Sequence, residues 1–119
     1  MLRFVNQVRY ALAGLLFLIR TERHFQIHIV AFLVVIFLGV YFDLNTSEWL
    51  NILIASCLVL FAEAINTSIE KLCDVYTREL NEQIKMVKDI AAGAVLIVVI
   101  FAIIVGGFVF YPHVKLLFH

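Results

Sequence analysis

WLNILIASCLVLFAEAINTSIEKLCD, residues 49–74, is the stretch whose reading decides how this chain folds. Residues 49–62 are almost wholly apolar, as a membrane span requires, and from residue 63 onward Glu63, Asn66, Thr67, Glu70 and Asp74 appear with no Gly or Pro to end the helix. At about 100° per residue these five side chains fall within roughly 100° of one another on one helix face. An ionised carboxylate at the centre of a membrane helix costs about 3 kcal/mol, so an acidic stripe at the edge of such a span marks a functional site by default. The residue types point to a divalent cation and to phosphate chemistry.

Composition agrees with a membrane setting. Of the 119 residues, 64% are apolar and only 15% are charged, and the mean hydropathy is +1.03, so a soluble domain would lack the polar surface to cover its core. The formal net charge is zero, and no nucleic-acid partner is expected. Three spans are drawn outward from the opening stretch: about 27–42, about 49–76 including its polar helical extension, and about 86–111, whose apolar part begins near residue 90. At ~1.5 Å per residue a ~30 Å hydrocarbon core needs ~20 residues, so the first span borrows from its flanks. One domain, 1–119, accounts for the whole chain, with no internal repeat and no low-complexity linker.

The basic residues orient it. Arg3, Arg9, Arg20 and Arg23 precede the first span, and Lys71, Arg78, Lys85 and Lys88 lie at the junction of the second and third. Lys115 stands alone beyond the third, while the turn DLNTSE (residues 43–48) carries no basic residue and is rich in turn and N-cap types. Eight to one is a strong positive-inside signal, so the N-terminus and the second loop are expected on the cytoplasmic side and the C-terminus outside, as a multi-pass protein of the bacterial cytoplasmic membrane. Tyr41, Trp49 and Tyr111 fall where the outer aromatic belt would lie.

The first 24 residues resemble a signal peptide in having a basic start and an apolar run, but no small-residue cleavage site precedes the polar cluster 20–24. A surface helix over about 1–24, with Arg3, Asn6, Gln7 and Tyr10 on one polar strip, is the expected form. Cys57 and Cys73 are separated by ~24 Å along a helix and cannot pair within one chain. His24 and His28, one helical turn apart, read as interfacial polar residues in preference to a transition-metal site.

The stripe can be placed in depth. With the helix starting near Ser47, Glu63 lies ~24 Å and Glu70 ~35 Å along it, which brings them to the cytoplasmic edge of a ~30 Å core. Glu63 is flanked by Phe61, Ala62, Ala64 and Ile65 and has no basic residue within a turn, the surroundings required of a base working near neutrality. Asp74 has two readings: a member of the site, or half of a solvated i,i+4 pair with Arg78, next to a Glu70–Lys71 pair. Lys85, Lys88 and Asp89 follow at the start of the third span; Lys88 is placed for an anionic phosphate, and the small residues of AAGA (91–94) permit close helix approach. Glu22, in RTERH (20–24), shares the depth of Glu70. Two such carboxylates from different elements would suit Mg²⁺, with nucleotide phosphates completing the octahedron.

TERHFQIH (21–28), EAINTSIEKLCD (63–74) and KDIAAGAVL (88–96), in this order and at these intervals, resemble the small prokaryotic integral-membrane diacylglycerol kinases, a family that also includes undecaprenol kinases. The likeness runs from RYALAG (9–14) through the third span. It implies an all-α membrane fold of three transmembrane helices and a surface helix, assembled as a homotrimer, and an ATP-dependent lipid kinase. By the resemblance, Glu63 is the general base for the lipid hydroxyl, Glu22 and Glu70 hold the metal, and Asn66 lies within reach of phosphate or metal. Lys88 and Asp89 contact the nucleotide, with the lysine nearest its phosphates; Arg3 and Tyr10 reach it from the surface helix, and Asp74 lies on its polar side. Where Gram-negative diacylglycerol kinases carry Glu-Tyr-His in the cytoplasmic loop, this chain has Glu79-Leu80-Asn81. TERxxxIH and KDxAAGAVL are similar to the undecaprenol kinase branch, in which a histidine such as His28 replaces an acidic residue on the lipid side, and undecaprenol is therefore the favoured acceptor over diacylglycerol.

No Gly-rich phosphate loop is present, and none is required where carboxylate-held metal and lysine neutralise the phosphates. Two rivals are weaker. An ion path through Glu63, Asn66 and Glu70 would leave Lys88 and Asp89 idle. A non-catalytic assembly subunit built on AAGA would make Glu63→Gln silent.

Overall fold

The computed structural model describes Met1–His119 and is all-helical: α1 Leu2–Thr21, α2 Arg23–Tyr41, α3 Thr46–Tyr76 and α4 Glu82–Leu117. α3 and α4 extend beyond their apolar runs at both ends, and α2 begins four residues before its run and ends within it at Tyr41.

Each junction has a local cause. Glu22 adopts an extended backbone between α1 and α2; its N–H still donates to Leu18 O, and the Ile19 carbonyl beyond that last bond accepts from Gln26 Nε2 at 3.0 Å, while Thr21 Oγ1 back-bonds Phe17 O at 2.7 Å. Between α2 and α3, Asp43 takes the left-handed conformation (φ 53°), which Asp tolerates better than most residues. Asn45 then caps α3 in a reciprocal box: its Oδ1 accepts from Glu48 N at 2.9 Å, and its own N–H donates to Glu48 Oε2 at 3.2 Å. Asn81 caps α4 by accepting from Gln83 N and Ile84 N.

The principal packing is α3 antiparallel against α4, with α2 on α3 and α1 attached mainly through α2. Leu44, Ile52 and Val109 form a small buried cluster at the end of the bundle away from the acidic stripe, with Val35, Phe42, Trp49 and Phe110 packed around it. Gly39 lets α2 approach there, since a Cβ at that position would lie 2.5 Å from the Trp49 indole. At the same end His113 on α4 meets Glu48, Nε2 to Oε2 3.1 Å, with its ring 5.7 Å from that of Phe42.

Only twelve of the 119 residues are buried within the chain, and three of those are Glu63, Asn66 and Thr67. On α3 these three polar residues are shielded about as well as the apolar Ile52, Ala55 and Val59 of the same helix, whereas Glu70 is half-buried and Asp74 exposed. All four helices are long and apolar enough to cross a membrane, one more than the three spans read from the sequence. α1 is the least apolar of them and has no buried residue, because its apolar positions are interleaved with Arg3, Arg9 and Arg20 and face no partner helix in the chain.

Candidate functional site

α3 carries the centre of the site. Glu63 is 5% exposed, and the nearest charged or basic partner of its carboxylate is His28 of α2, with Nε2 3.8 Å from Oε2, too far for a direct hydrogen bond. His28 also lines one end of an apolar cleft of about 300 Å³ between α2, α3 and α4, whose walls include Phe32, Ala55, Val59, Ile103 and Gly106. Val59 precedes Glu63 by one helical turn, so the carboxylate sits just beyond the cleft on the same face of α3. The geometry is that of a buried carboxylate at the end of a hydrocarbon-lined groove.

One turn on, Asn66 Nδ2 donates to Glu70 Oε1 at 3.1 Å. The other end of that amide, Oδ1, is buried with no hydrogen-bond partner. An orphaned carbonyl oxygen in a shielded place costs on the order of 1–3 kcal/mol, so this atom is open to a further donor, a water or an ion.

Glu22 comes to the same edge from the α1–α2 junction. Its Oε1 is 3.0 Å from Lys71 Nζ, and that ammonium lies 5.0 Å from the centroid of the Phe17 ring. The Glu70–Lys71 pairing weighed from the sequence is not formed, because adjacent residues on a helix point ~100° apart and Lys71 faces the α1–α2 junction. The Asp74–Arg78 pair is absent as well: α3 ends at Tyr76, so Arg78 is no longer one turn along the same helix face. Asp74 instead meets Lys88 of α4, Oδ1 to Nζ 2.8 Å, and Asp89 pairs with Lys85, Oδ2 to Nζ 2.7 Å.

Asp74, Lys85 and Lys88 lie on the polar helix ends outside the apolar spans. The hydrogen bond from Lys88 holds the Asp74 carboxyl below its ordinary value, and the same contact raises the Lys88 ammonium. Asp89 raises Lys85 in the same way. Both lysines are therefore charged at neutral pH.

Glu63, Asn66, Glu70 and Asp74 are thus aligned on one helix, with Glu22 brought in from α1–α2 and Lys88 and Asp89 from α4. Arg3 and Tyr10 are not joined to this group: both are exposed on α1, with no hydrogen bond or ion pair to the rest of the chain. No cluster of three or more His, Cys, Asp and Glu side chains is arranged to hold a metal ion. The His28–Glu63 and Lys71–Glu22 contacts had no local signature, since both depend on the register between helices.

Comparison with known proteins supplies the family. Residues 9–110 match the family model described as prokaryotic diacylglycerol kinase. A diacylglycerol kinase of Synechocystis is 37% identical over 105 residues, covering 87% of this chain, and the chain spans 60% of that relative's length. An undecaprenol kinase of Bacillus subtilis is 34% identical over 110 residues, 92% of this chain and 89% of its own. With its acidic helix, basic α4 entrance and Glu22 junction all inside the matched region, the chain belongs to the prokaryotic diacylglycerol kinase family.

Proposed function

We propose that this chain is a membrane lipid kinase, transferring the γ-phosphoryl group of Mg²⁺-ATP to the hydroxyl of a lipid alcohol, undecaprenol in preference to diacylglycerol. The observation that carries this reading is Glu63, a carboxylate 5% exposed beside His28 at the end of the apolar cleft, in a chain of this family. Glu63 accepts the hydroxyl proton as the lipid oxygen forms its bond to the γ-phosphorus; the bond from that phosphorus to the β,γ-bridging oxygen breaks, and ADP leaves. Such transfer asks for positioning and charge neutralisation more than for covalent help from the protein.

Lys88 meets the phosphates, with Asp89 and Asp74 beside it, and Arg3 and Tyr10 reach the nucleotide from α1. One feature supports Mg²⁺ at Glu22 and Glu70: the unpartnered Asn66 Oδ1 is a hard oxygen donor beside Glu70. When bound, the ion neutralises phosphate oxygens. α1 lies in the cytoplasmic interface and α2, α3 and α4 span, a reading supported by the low apolarity of α1 and the eight-to-one placement of basic residues; the N-terminus and the site are then cytoplasmic and the C-terminus outside. Assembly as a homotrimer would cover apolar surface that one chain leaves bare.

Undecaprenol is preferred on the likeness to the Bacillus protein over nearly its whole length and on His28 at the lipid side; diacylglycerol is the second reading, on the name of the Synechocystis relative. Purified protein with Mg²⁺ and γ-labelled ATP is to be given each lipid separately in bilayers. Label is expected in both phospholipid products, with the higher kcat/KM for undecaprenol. A higher value for diacylglycerol would reverse the acceptor, and no label in either lipid would reject the kinase reading.

A further inference from the structure

Lys71 lies outside every role assigned above, yet it makes a closer contact to the Glu22 carboxylate than the neighbouring Thr21 hydroxyl, which stands 3.5 Å from the same oxygen. Its ammonium stands 3.0 Å from Glu22 Oε1, and no other lysine or arginine forms an ion pair with that carboxylate, although Arg20 and Arg23 flank it in sequence. The Glu22 side chain is 26% exposed, so the ammonium replaces much of the water that a free carboxylate would hold. The Phe17 ring, 5.0 Å from Nζ, adds a cation–π contact that keeps the lysine folded over the end of α1. Three elements meet at this one cation: α1 through Phe17, the junction through Glu22, and α3 through Lys71 itself.

We infer that Lys71 is a resident counter-cation of Glu22, whose charge opposes the binding of a divalent ion to that carboxylate. The inference rests on the reading of Glu22 as a metal ligand. A divalent ion bound at ~2.1 Å by either carboxylate oxygen stands close to an ammonium held ~3 Å from Oε1, and the two cations repel. Ion-pair strength is therefore subtracted from metal affinity. In the absence of metal the lysine neutralises Glu22 at the membrane edge and ties the α1–α2 junction to α3.

The test is Mn²⁺ binding, followed by electron paramagnetic resonance, to the full chain in bilayers without nucleotide. Lys71→Met is expected to bind Mn²⁺ more tightly than wild type, by roughly fivefold for a partly exposed pair. Lys71→Arg, which retains a cation on Glu22, is expected to keep the wild-type affinity, and Lys85→Met, which removes an equal charge from the Asp89 pair, to leave it unchanged. An unaltered affinity in Lys71→Met, an equal gain in Lys85→Met, or no Mn²⁺ site in either wild type or Lys71→Met overturns the inference. Lipid phosphorylation by wild type in the same preparation separates these outcomes from failure of the kinase reading itself.

Discussion

Asp74 near the end of α3 and Lys88 in the second turn of α4 meet at 2.8 Å, closing the five-residue connection between the two longest helices with a charged contact. The pair places the lysine of the α4 entrance on the same side as the acidic face of α3, so the two halves of the proposed nucleotide site face each other. Lys88→Met is expected to raise the KM for ATP about tenfold, the loss of one charge-assisted phosphate contact. Asp74→Asn, which frees the lysine but removes its anchor, is expected to change that KM less. The comparison is read from ATP titrations at saturating lipid.

Glu63→Gln keeps the size and hydrogen-bonding ability of the side chain and removes its capacity to take a proton. Turnover is expected to fall by a factor on the order of 10²–10⁴, the range for loss of a general base. Nucleotide binding, measured by displacement of a fluorescent ATP analogue, is expected to persist. Wild-type turnover in this variant would remove Glu63 from the mechanism.

Gly39 and Gly106 offer a contrast in packing. A methyl group at Gly39 would lie 2.5 Å from the Trp49 indole, whereas one at Gly106 meets nothing within 4 Å. Gly39→Ala is expected to destabilise the fold by about 1–3 kcal/mol, the usual effect of forcing an atom into a filled site. Gly106→Ala is expected to leave the thermal midpoint close to that of wild type. Melting of both variants in the same detergent distinguishes them, and equal midpoints would contradict the tight α2–α3 approach.

Glu48 and His113 tie the opposite end of the bundle, and Glu48 also completes the capping box of α3. Glu48→Ala removes both functions and is expected to cost on the order of 1 kcal/mol or more of stability. The KM values for lipid and ATP are expected to hold, because the pair belongs to the end of α3 opposite Glu70 and Asp74. A selective change in either KM, with the melting midpoint unmoved, would place this pair in the catalytic machinery.

The sequence by itself determined the helical class, the membrane setting and the line of polar residues on α3, because apolar run length and a 3.6-residue period are local properties of one segment. The turn over residues 43–48 was legible from its turn and N-cap residue types, whereas the reciprocal Asn45–Glu48 box and the Asn81 cap that starts α4 at Glu82 emerged with the structure. Family likeness added roles to residues that the pattern had only gathered. Partners were another matter. Lys71 read as a neighbour of Glu70 and proved to face Glu22; Asp74 read as a partner of Arg78 and met Lys88; His28 read as interfacial and came to stand 3.8 Å from Glu63. Each of those contacts joins different helices or junctions, and its existence depends on how far one helix slides or turns against the next. In hydrocarbon, with no hydrophobic drive between helices, side-chain packing sets that register. Close approaches such as Gly39 on Trp49 fix it only once the helices are together, so tertiary structure alone decided which charges meet.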